Sequence, residues 1–157
     1  MTTAELVLLL EQYRAALDAQ LALLAQLEAV AARQREETDA RDFERLAVDS
    51  DQRDQLTRSL VTIEQGLADV RQQLLASREQ AMALAQFGEV VQRRKQAAET
   101  VARILDVDRE SMKSLADAEL ARRAAVATLE RGESTLAAYR KVLAPPVSNA
   151  ALVNRRG

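Results

Sequence analysis

The chain has 157 residues, about half of them apolar (48%) and 29% charged, with a formal net charge of -2. Only four aromatic residues, four glycines and two prolines occur, too little turn material for a fold of many short strands. The absence of Cys and His excludes disulfides, thiolate nucleophiles and imidazole chemistry, and the balanced charge gives no basic excess to attract nucleic acid or anionic lipid. These counts point away from catalysis, and no cofactor motif is present: neither GxGxxG, GxxxxGK[ST], GxSxG nor a calcium loop. Asp49, Asp51 and Asp54 spell DxDxxD but lack the glycine and terminal glutamate of a calcium loop.

Residues 3–38 contain no Gly or Pro and are dominated by Ala, Leu, Gln, Glu and Arg, which predicts one long helix, with Thr3 as a plausible cap. Positions 6, 10, 13, 17, 20, 24, 27 and 31 alternate steps of four and three, and seven of the eight fit an apolar seam. Leu9, Leu21, Leu23 and Val30 widen that stripe, as expected of a helix with two neighbours in a bundle. Leu6 to Leu10 is the longest strongly apolar run, but no cationic segment precedes it and Glu11 follows at once, unlike a signal peptide. No stretch reaches the roughly 18 uninterrupted apolar residues of a spanning helix, so a soluble, cytoplasmic protein without membrane insertion is expected.

The pattern lapses between Arg33 and Arg45, which places the first turn there, with Thr38 or Asp39 offering a side-chain cap to the second helix. That helix opens weakly through Val48, Asp49, Ser50 and Asp51. It then shows a seam of Leu56, Leu60, Ile63, Leu67, Val70 and Leu74, with Gly66 inside it. That glycine either permits close helix approach or is merely tolerated, at a cost of about 1 kcal/mol relative to Ala.

A break is expected between Ser77 and Glu89, followed by a third helix running to about Leu143. Its seam reads Val101, Leu105, Asp108, Met112, Leu115, Glu119, Arg122, Val126, Leu129, Glu133, Leu136, Arg140 and Leu143, five of the thirteen polar. Charged residues at such positions must face solvent or meet opposite charges. The same helix ends in an apolar stripe of Leu129, Leu136, Tyr139, Val142 and Leu143, expected either to be ordinary core or to form a partner groove that the first helix leaves uncovered. Arg93-Arg94-Lys95 and Arg122-Arg123 are basic clusters best read as a solvated helix face.

Ala144-Pro145-Pro146 ends the helix. The tail 145–157 offers Val147, Ala151, Leu152 and Val153 for docking on the bundle or a partner. The fold expected is all-α: an elongated antiparallel bundle of three principal long helices over residues 1–144, packed like a coiled coil, with a short C-terminal tail.

The Leu-rich opening LVLLLEQYRAALDAQLALLAQLEAV, then DFERLAVDSDQRDQL, then ILDVDRESMKSLADAELARRAAVATLERGESTLAAYRK and a proline-broken tail ending VNRRG together resemble flagellar type III export chaperones of the FlgN/FliT type. The resemblance implies a cytoplasmic helical chaperone that binds amphipathic terminal helices of late flagellar substrates, hook-filament junction or filament cap proteins. It would deliver them to the export-gate membrane protein without nucleotide hydrolysis. It further implies that the C-terminal helix and tail carry client contact and that Tyr139 matches a tyrosine linked to gate docking; VNRRG departs from the more usual aspartate-bearing ending. The residues assigned to partner binding are Leu129, Leu136, Tyr139, Val142, Leu143, Val147, Leu152 and Val153, through a helix-in-groove mode. If the tail fills that groove, deleting residues 145–157 leaves client affinity unchanged or strengthens it. The alternatives are a coiled-coil scaffold that homo-oligomerises, including as a dimer, and a helical-bundle enzyme of the chorismate mutase kind with Arg14 or Arg122 as its cation.

Overall fold

The computed structural model describes residues 1–117 and 119–143. Helix α1 covers Thr3–Asp39, α2 Phe43–Gly66, α3 Ala68–Ala76, α4 Arg78–Met82, α5 Ala85–Ser114 and α6 Glu119–Leu143, with a 3-10 turn at Leu115–Asp117 between the last two. No strand occurs among the described residues. The cap of α1 is Thr2 rather than Thr3: its hydroxyl accepts from the Glu5 amide while Glu5 reaches back to the Thr2 amide, a complete capping box.

The first reversal uses neither Thr38 nor Asp39 as the next cap. Thr38 is still helical and donates to the Gln34 carbonyl, and Asp42 caps α2 by accepting from the Arg45 amide at 3.2 Å. Between them Arg41 takes a left-handed conformation (φ 59°) that closes the end of α1. The break expected between Ser77 and Glu89 is found there, as the short α4 and the extended Leu84 that opens α5.

The expected third helix is instead two. The chain turns at Leu115–Asp117, and α6 runs back along α5, with Arg109 Nε 4.0 Å from Glu133 and Arg94 donating to the Val142 carbonyl at 3.5 Å. No Gly or Pro marks this reversal, and the buried positions on either side (104, 108, 111, 115, then 125, 129, 132, 136) keep one unbroken seven-residue phase. Periodicity alone therefore continues straight through the turn.

The result is two helical hairpins side by side, α1/α2 and α5/α6. Ion pairs and hydrogen bonds join α1 to α5 at a constant spacing of 75 residues, at Arg14–Glu89, Asp18–Arg93, Glu28–Arg103 and Asp39–Ser114, so these two helices are parallel and in register. Within the first hairpin α2 runs antiparallel to α1, as Gln20–Glu64 and Gln34–Ser50 show. Helix α1 does have two neighbours, α2 and α5, and Leu9, Leu21 and Leu23 lie half-buried against them. By length and composition α1 is apolar enough to cross a membrane, and a third of that stretch is buried inside the bundle.

Candidate functional site

The bundle interior consists of apolar layers interrupted by two charged ones. Leu24, Leu27, Leu60, Val101 and Ile104 are sealed from solvent in the middle. Toward the hairpin tips lies the first charged layer. Arg53 of α2, fully buried, binds both carboxylate oxygens of Asp108 on α5, with Nη1 to Oδ1 at 2.6 Å. The same Nη1 donates to Gln34 of α1 at 3.0 Å, and Gln34 donates to Ser50 at 3.1 Å. From α6, Gly132 completes the layer: a Cβ there would stand 2.8 Å from Arg53 Nε. This fulfils the requirement that Asp108, a charged seam residue, meet an opposite charge.

The second charged layer gathers Tyr13, Gln20, Glu64, Arg71, Arg94 and Tyr139. Glu64 pairs with Arg71 and accepts from Gln20 at 3.0 Å. Arg94 is buried rather than solvated as expected of the Arg93-Arg94-Lys95 cluster, because it occupies an interior position of α5 while Arg93 reaches Asp18 at the surface. Among the described residues its acceptor is the Val142 carbonyl in the last turn of α6, at 3.5 Å, where the negative end of the helix dipole offsets a buried cation. Burial lowers the Arg94 pKa and raises those of Tyr13 and Tyr139.

The seams read from sequence hold at Leu60, Leu67, Leu74, Val101, Leu105, Asp108, Leu115, Leu129, Leu136 and Leu143, all buried, and miss by one residue at the positions between several of them. Leu56, Ile63 and Val70 are half-buried flanking residues, whereas Arg53, Thr57 and Glu64 are interior. In α6 the interior positions are Gly132 and Tyr139, one residue before the Glu133 and Arg140 assigned to the seam, so part of the polar interruption there reflects a phase one residue too late. A methyl group at Gly66 would meet nothing within 4 Å, so this glycine is tolerated rather than needed for close approach.

The expected open stripe on the last helix is core. Leu129, Leu136, Tyr139 and Leu143 are 1%, 0%, 4% and 3% exposed, covered by the chain's own helices, and Val142 is half-buried. Their uncovered docking surface does not exist, because α6 turns back to lie on α2 and α5 instead of extending beyond them. Val147, Leu152 and Val153, with the side chains of Glu119 and Arg122, lie outside the described residues.

Near the tips a shallow cleft of about 230 Å³ lies between α2 and α6, lined by Phe43, Leu46, Ala47, Ser50, Ala124 and Thr128 among others. Close by, the Glu37 carboxyl of α1 stands beside that of Asp49 on α2, which accepts from Arg33 at 3.2 Å. Burial, then the Asp49 contact, push the Glu37 carboxyl up to about 7. No spacing or motif signals this pair in advance, since a turn separates its members. The Arg14 cation named for an enzyme alternative forms a surface pair with Glu89 at 2.6 Å. No family model, curated protein or solved structure matches the chain.

Proposed function

We propose that the protein is a cytoplasmic helix-binding chaperone in which α6 is the exchangeable member of the bundle. The residues the sequence assigns to partner contact, Leu129, Leu136, Tyr139, Val142 and Leu143, then serve by holding α6 closed until a guest helix takes its place.

The observation that carries this reading is the floor beneath α6. Its leucines and Ala125 pack on apolar neighbours, but between them Gly132 rests on the Arg53–Asp108 layer and Tyr139 on the layer of Glu64, Arg71 and Arg94. Helix α1, by contrast, buries Leu6, Leu10, Leu17, Leu24 and Leu27. A polar floor can be solvated when its cover lifts, and each Leu-sized side chain a guest re-buries returns about 1.5–3 kcal/mol. The 3-10 turn at Leu115–Asp117 is a suitable hinge.

The likeness to flagellar export chaperones supplies the guest, an amphipathic terminal helix of a hook-filament junction or filament cap protein, and the destination, an export-gate membrane protein. A homo-oligomeric scaffold would need free seams, whereas those of α1 and α5 are spent within one chain. Titration calorimetry of the full chain with synthetic terminal-helix peptides of those substrates tests the proposal. Micromolar or tighter binding to at least one peptide is expected, and no heat with any of them overturns it.

A further inference from the structure

We infer that the two buried charged layers form a register code, fixing the second hairpin on the first against slips that the heptad seam otherwise permits. Interior positions on α1, α2, α5 and α6 recur with a seven-residue period. Because α1 is parallel to α5, and α5/α6 move as one hairpin, a slide by one or two heptads returns each seam position to a seam position. The apolar layers discriminate weakly against this, since Leu17, Leu24 and Leu27 would exchange partners among Val90, Val101 and Ile104.

The charged layers discriminate strongly because their polarity is reversed. Near the tips α2 supplies the cation, Arg53, and α5 the anion, Asp108. In the other layer α2 supplies the anion, Glu64, and α5 the cation, Arg94. Gln34 and Gln20 mark the two levels on α1 and Asp108 and Arg94 mark them on α5, in each case two heptads apart.

A two-heptad slide one way places Arg94 against Arg53; the other way it places Asp108 against Glu64, whose charge Arg71 already neutralises. Either buries an uncompensated charge. A one-heptad slide leaves Arg53 and Asp108 unpaired against apolar layers, and it replaces Gly132 over the guanidinium by Ala125 or Tyr139. Had both layers carried the same polarity, the two-heptad slide would have re-formed an ion pair.

The chain has no cysteine, so engineered pairs read the register directly. With Glu28→Cys and Arg103→Cys as the native pair, Glu28→Cys with Gln96→Cys or with Glu110→Cys reports a one-heptad slide in either direction. In the Arg53→Leu/Asp108→Leu chain the slipped disulfides are expected to rise about tenfold over the parent while helicity is kept. Arg53→Asp/Asp108→Arg gives both layers the same polarity. It keeps an ion pair in the native alignment and lets the two-heptad slide form one as well, read as a Glu28→Cys/Glu89→Cys disulfide expected beside the native alignment and absent from the parent. Formation of only the native disulfide in both variants, or loss of the helical fold in both, overturns the proposal.

Discussion

The middle of the bundle and the two charged layers flanking it solve different problems. Around Leu24, Leu27, Leu60, Val101 and Ile104 the interior is mostly aliphatic, with Thr57 and Thr100 its only uncharged polar neighbours among the described residues of this stretch, which supplies burial but distinguishes poorly between alternative alignments. At Arg53–Asp108 the interior spends two buried charges, a weak source of net stability, on a geometry that closes only when α1, α2, α5 and α6 meet at one level. Adhesion and alignment are therefore carried by different residues.

That contrast can be broken at either side. The largest loss is expected from Asp108→Ala, which strands the Arg53 guanidinium without its carboxylate. Urea unfolding should show a drop of about 3–5 kcal/mol. Leu27→Ala, in the aliphatic middle, is expected to cost about 2–5 kcal/mol by leaving a cavity, with helix pairing unchanged.

Gly132→Ala sharpens the comparison. Its new methyl meets Arg53 atoms pinned by the ion pair, and a loss of about 1–3 kcal/mol is expected. Gly88→Ala, with nothing within 4 Å, should instead gain about 1 kcal/mol through helix propensity. Thermal melts of the two single variants should move in opposite directions.

The Glu37–Asp49 pair adds a pH dependence. Unfolded, Glu37 releases its proton near 4.5, whereas folded it holds it to about 7. Between those values the folded state binds more protons, so this contribution is intact below about 4.5 and is lost as pH rises through 7. Glu37→Gln should flatten that slope and stabilise the chain at pH 8 by about 1–3 kcal/mol, measured by denaturation at pH 5 and pH 8.

The helical class, the extent of α1 and its seam are legible in the sequence, because Leu6 through Ala31 repeat without a competing signal. In α2 and α3 half of the conspicuous residues mislead: Leu56, Ile63 and Val70 are apolar flanks, while the interior takes Arg53, Thr57 and Glu64, which hydropathy assigns to solvent, alongside Leu60, Leu67 and Leu74. In α5, Leu105 stands beside Ile104 and Met112 beside Ser111, so two phases fit nearly equally well. The reversal at Leu115–Asp117 leaves no mark because neither glycine nor proline makes it and the heptad phase survives it. That missed turn explains the misplaced site: a helix that projected past its neighbours would expose Leu136 and Tyr139, whereas one that folds back buries them.

Whether α6 must lift for a guest helix to enter is tested by tethering it. Arg109→Cys and Glu133→Cys, at positions paired across α5 and α6, can be bridged by a short reducible bis-thiol crosslinker. Affinity for the substrate terminal-helix peptides should then fall at least about tenfold and recover on reduction. Undiminished binding by the tethered chain would contradict helix exchange and move the binding surface elsewhere on the bundle.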